Sequence, residues 1–249
     1  MQPAPNPVFD FVRSVEHFYA ALMAYAAPNS QAEPDLGGQL LYVDGLNPAD
    51  CALIVAANIA GAATIVACDD SAAQRQAIRD GVLDFLVTSL DEAVRILKNE
   101  LRKRQPVAVC VGLAREAVEA EMRERGLQPG IAKPSAVPEP KALLSQVLLF
   151  WSVASAPARW LPRLDALAAD CLAPGKLAAR RWLRLAPRYL GRKSQNTRVL
   201  RCNEAVAGQF IAAVRQRTES GELDVAIEIE LEAPGDPGTL VFQPAVPST

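Results

Sequence analysis

The sequence predicts an α/β protein: a parallel sheet with helices on both faces, then a smaller, mainly helical C-terminal part that ends in β strands. Three observations carry that reading. Between residues 36 and 131, short apolar runs alternate with longer helical stretches, the pattern of strands buried on both faces and joined by crossover helices. A segment at 132–142 holds Pro134, Pro138 and Pro140 and sustains no period, which marks a linker. Beyond it the apolar spacing turns helical, and strand-like runs return only in DVAIEIELE and TLVFQP near the end. The chain therefore divides into an N-terminal helix and linker (1–35), an α/β domain of Rossmann-like pattern (36–131), a linker (132–142) and a C-terminal α+β region (143–249).

The elements follow in order. Phe11, Val15, Phe18 and Leu22 recur at helical spacing and give a lead-in helix over 8–27, ended by Pro28 and a polar loop through Pro34. QLLYVDG (39–45) reads as a buried strand. Residues 47–62 read as a helix with Asn47 as cap and Pro48 in its first turn, and TIVACDD (64–70) as the next strand. A helix over 71–80, a strand at 83–87, a helix over 89–104 with Asp91 and Glu92 in its first turn, a strand at 106–112 and a helix over 115–125 complete the series. In the C-terminal region, helices are expected over 141–156, 159–172, 176–190 and 203–218, and the tail after Pro244 is expected to be loose.

With 249 residues, half of them apolar, the chain can bury a substantial core. Lysine and arginine number 26 against 28 acidic residues, so the whole molecule exerts no strong pull on nucleic acid or anionic membrane. Cys51, Cys68, Cys110, Cys171 and Cys202 are odd in number and lack CxxC spacing, which argues against a disulfide framework or a zinc site. Reduced thiols in a cytoplasm fit better, as does an N-terminus without the basic start and apolar core of a signal peptide. The uncharged stretch from Cys51 to Cys68 is too short and too rich in alanine for a membrane span and reads as helix plus strand.

Ligands of open parallel sheets bind at the carboxyl ends of the strands. The turn there, DGLNPADC, keeps Gly45 and Asn47 but no GxGxxG, so a tightly held dinucleotide is not expected. Asp69 and Asp70 stand where such folds place the acid that binds a ribose hydroxyl, about 20 residues past the glycines. The competing role is to cap the following helix. His17, the single histidine, lies beside Phe18 and Tyr19 and reads as a packing or surface residue, so no metal site is expected. From Cys171 to Asn203 nine cations occur with no acid. Arg180, Arg184 and Arg188 share a helical face, with Arg181 beside them, and offer an anion-binding patch or a solvated face balanced by Glu228, Glu230 and Glu232. No nucleic-acid-binding motif accompanies them.

Residues 36–131 resemble the NAD-carrying domain of urocanases. The likeness lies in DLGGQLLYVDGL, AANIAGA, GVLDFLVTSLDEAVRI and KRQPVAVCVGLAREAVEAEMRERGLQP. It continues faintly in AARRWLRLAPRYL and in TRVLRCNEAVAGQFIAAVRQRTESGEL, which implies a shortened urocanase and a homodimer. The departures fall on the family's chemistry. Its "GGMGGAQP" loop corresponds to 47–54, which holds no glycine, and its glutamate after the second strand corresponds to Cys68, leaving Asp69 next to it. The asparagine of "GNAAE" corresponds to Leu113, and the "QTSAHDP" loop falls near Pro134 to Pro140 without its glutamine or histidine. The functional cysteine corresponds to Leu200, with Cys202 two positions away as the one catalytic candidate. The expectation is a non-catalytic binding or accessory protein with no cofactor, NAD returning only if the resemblance is functional. The competing expectations are a hydro-lyase or other enzyme holding a nucleotide or anionic substrate at the strand ends, and an interaction module whose arginine-rich helix meets an acidic protein partner.

Overall fold

Four short strands, β1 (Leu40–Val43), β2 (Ala63–Ala67), β3 (Phe85–Val87) and β4 (Val107–Val111), pair in parallel in the order β1-β2-β4-β3. They belong to the first of two compact units, Met1–Pro138 and Glu139–Thr249. The computed structural model describes residues 7–26, 33–131, 146–233 and 236–243. The expected linker at 132–142 and the tail after Pro244 lie outside the described residues.

Helices α1 (Pro7–Ala26), α2 (Pro48–Ala60), α3 (Ser71–Arg79), α4 (Leu90–Lys103) and α5 (Arg115–Glu124) match the sequence reading to within one or two residues. Local chemistry sets their ends. Asn47 caps α2, with Pro48 at its first position, and Gly61 closes it at φ 95, a left-handed conformation that costs glycine little. Ser89 Oγ accepts from the Glu92 amide while the Glu92 carboxylate accepts from the Thr88 amide at 3.1 Å, a reciprocal start for α4.

Alternate residues of the strands face opposite layers. Leu40, Ala63, Ile65, Val107 and Val109 pack against Leu90, Ala93 and Leu97 of α4 and Val118 and Met122 of α5. The other face presents Leu41, Val43, Val66, Ala108 and Cys110, none more than 1% exposed, and α2 lies there, itself almost wholly buried and packed against α1. Thr64 sits on this second face with 0% exposure and no hydrogen-bond partner for Oγ1. A buried unpaired hydroxyl costs stability and valine keeps its shape. Thr64→Val is therefore expected to gain about 1 kcal/mol in urea unfolding followed by circular dichroism.

The second unit holds β5 (Val147–Val153), α6 (Pro157–Cys171), α7 (Leu177–Leu190), β6 (Thr197–Cys202), α8 (Glu204–Glu219), β7 (Ile227–Ala233) and β8 (Asp236–Phe242). Its sheet is antiparallel, in the order β6-β5-β7-β8. Two expectations are corrected. The described part of the segment read as helix over 141–156 is dominated by strand β5, and residues 197–202, outside the two strand-like runs expected in this region, form strand β6. β5 is central and buried on both faces, so its apolar run carries no alternation that would separate strand from helix. Trp151, 0% exposed, packs on Phe210 of α8 with ring centroids 5.0 Å apart. The Trp182 indole of α7 donates to the Val199 carbonyl of edge strand β6 at 2.6 Å.

Candidate functional site at the strand carboxyl ends

The carboxyl ends of β1, β2 and β4 bring together the residues that the sequence singled out in the first unit. Gly45 and Asn47 follow β1, Asp69 and Asp70 follow β2, and Gly112 and Leu113 follow β4. The backbone donors here are largely taken. Asn47 Oδ1 accepts from the amides of Ala49 and Asp50 at 2.9 and 3.0 Å. Asp70 Oδ1 accepts from those of Ala72 and Ala73 at 2.8 and 3.2 Å, so Asp70 performs the capping role. Asp69 is exposed beside it.

The spaces between the strand ends are filled by side chains of the same unit. A Cβ added at Gly45 would stand 2.9 Å from Asp50 Oδ2, which places the buried Asp50 carboxylate against the glycine. Gln74, 7% exposed, donates from Nε2 to the Cys68 carbonyl at 2.6 Å and stands 3.5 Å from where a Gly112 side chain would begin. Arg115, in the first turn of α5, donates to Asp44 Oδ2 at 2.6 Å and to Glu119 Oε1 at 2.8 Å. Those carboxylates hold its guanidinium charge more firmly than usual, Glu119 most of all. The Tyr42 hydroxyl reaches the same Glu119 oxygen at 3.3 Å, and burial and then Glu119 push its pKa up.

Asp44, Asp50, Asp69 and Asp70 thus surround the strand ends, with Arg115 paired among them. Such a rim favours cations and hydrogen-bond donors over phosphate. The thiols beside it are poor nucleophiles. Burial raises the pKa of Cys68 and pushes that of Cys110 up to about 12.

The remaining candidates lie elsewhere. Cys202 is buried at the end of β6 in the second unit, opposite Val147 of β5. On α7, Arg180 donates to the Leu172 carbonyl at 2.6 Å, Arg181 is half-buried, Arg184 is exposed, and the exposed Arg188 stacks 5.5 Å over the Tyr189 ring. Arg201 of β6 and Glu232 of β7 flank Leu148 on one face of the sheet, the face that also carries Glu228 and Glu230. His17 is half-buried against Phe18. Among the described residues, no group of three or more His, Cys, Asp or Glu is placed to hold a metal, and no helix is long and apolar enough to cross a membrane.

The sequence reading missed Arg115–Asp44 and Gln74. The first joins residues 71 apart, and nothing local announces it. Gln74 does carry a local signal, since a glutamine one turn into a helix that follows a parallel strand is placed to reach back to the carbonyl just past that strand.

Residues 15–134 match the urocanase Rossmann-like domain, and the match runs from α1 through the four parallel strands to just beyond Ile131. This part of the chain is similar to a urocanase Rossmann-like domain. Comparison with curated proteins gives no match. Within the domain, the loop where urocanases carry their glycines is the capped start of α2, and the end of β2 leads into the Asp70 cap of α3.

Proposed function

We propose that this protein has lost NAD binding and urocanate hydration and serves as a non-catalytic binding or accessory protein on a urocanase-type scaffold. The occupied strand ends carry this reading. A dinucleotide in a Rossmann-type fold sets its pyrophosphate on free amides at a glycine-rich turn. Here the α2 amides face Asn47 Oδ1, Asp50 fills the space at Gly45, and Arg115 is held by Asp44 and Glu119. These residues do not fit NAD. Its phosphates would meet Asp50 and Asp70 with no unpaired cation from this rim.

The partners that suit such a protein are other proteins, a second copy of this chain or an acidic one. The exposed Arg184 and Arg188 on α7 favour the acidic partner over a nucleotide at the strand ends. Thermal unfolding with NAD and with urocanate tests the reading. Neither ligand at millimolar concentration is expected to stabilise the protein. A gain of about 2.7 kcal/mol at one hundred times the dissociation constant, as mass action requires of a bound ligand, would overturn it.

A further inference from the structure

One turn along α5 from the Arg115–Asp44 contact, a cleft of about 300 Å3 opens between Tyr42, Glu119, Met122, Arg123, Leu127 and Gln128. That volume is at the bottom of the range for small-molecule pockets. The cleft is shaped by the end of α5, where Gly126, at φ 65, turns the chain back and lets the Leu127 amide reach the Met122 carbonyl at 2.8 Å. The following residues then run beside β1, through Gly130 N–H to Leu40 O at 2.9 Å.

Part of its polar lining makes no bond to the protein. Glu119 and Arg123 stand four apart on one helix, the spacing of a natural ion pair. They do not pair; Arg115 and Tyr42 both bind Glu119 at Oε1, which leaves Oε2 open. Among the described residues, Glu119 Oε2, the Arg123 guanidinium and the Gln128 amide have no partner. Met122 and Leu127 supply an apolar wall between them.

We propose that this cleft binds a small zwitterion of α-amino-acid type, its carboxylate on Arg123 and Gln128, its ammonium on Glu119 Oε2, and its aliphatic side chain on Met122 and Leu127. The site shares Glu119 with the strand-end rim, through Arg115, but needs no nucleotide there.

The test is a nitrogen-15 NMR titration of the full chain with three probes: L-leucine, isoamylamine, which lacks the carboxylate, and 4-methylpentanoate, which lacks the amine. Leucine should give saturable shifts confined to Tyr42 and residues 119–130, with a dissociation constant of about 1 mM or tighter. Each single-function probe should bind at least about tenfold more weakly. Arg123→Leu, at an exposed side chain without partners, should weaken leucine about tenfold and leave isoamylamine unchanged. Equal binding of all three probes, shifts scattered outside the cleft, or no saturation by leucine would each overturn the proposal.

Discussion

Replacing Arg198 by methionine is expected to cost the second unit about 3–5 kcal/mol at neutral pH, the usual penalty for leaving a buried charge without its partner. Arg198 Nε donates to Asp165 Oδ2 at 3.0 Å, and both side chains are largely buried, 13% and 16% exposed. Nη1 of the same guanidinium donates to the carbonyls of Ser194 and Thr197, at 2.5 and 3.0 Å. Burial raises the Asp165 pKa, and Arg198, with a smaller effect from the Trp151 indole, opposes it. The folded state therefore holds the Asp165 proton more tightly than the unfolded chain does. Stability tied to this group is full below the unfolded pKa and falls as pH rises through the folded one. Arg198→Met removes the main opposing charge and deepens that fall. Its deficit should shrink on acidification through the raised Asp165 pKa, and urea unfolding at several pH values reads this directly. A deficit that grew at low pH would assign Asp165 a different environment.

Trp151→Ala is expected to cost about 3–5 kcal/mol through the cavity it leaves, and to lower the urea midpoint by roughly 2 M. Trp151 is fully buried in the central strand, packed on Phe210 and flanked in the sheet by Arg198 and Ile229. All three tryptophans, Trp151, Trp160 and Trp182, lie in the second unit, so fluorescence of the remaining two follows this unit alone. An unchanged midpoint would mean that the site collapses around the alanine or that this sheet does not limit unfolding.

The first unit was legible because each of its signals is local. Asn47-Pro48 and Gly61 bracket α2, Asp70 and Ser89 open α3 and α4, and the intervening strands are apolar and short. The second unit was harder to read for two opposite reasons. VLLFWSV is buried on both faces and carries no period, whereas TRVLRC mixes Arg198 and Arg201 into a strand and disguises its alternation. The predicted site residues of the first unit do converge on the strand ends. What sequence could not supply was their commitment. That Asp70 caps a helix, that Asp50 lies against Gly45 and that Arg115 crosses to Asp44 are facts of packing between segments far apart in the chain.

The most direct test of a scaffold without its cofactor is to denature freshly purified protein and analyse the released small molecules by mass spectrometry. No NAD or related nucleotide is expected above trace level. Release of NAD in stoichiometric amount would contradict the account and make Asp69, Asp70 and Cys202 the first residues to substitute.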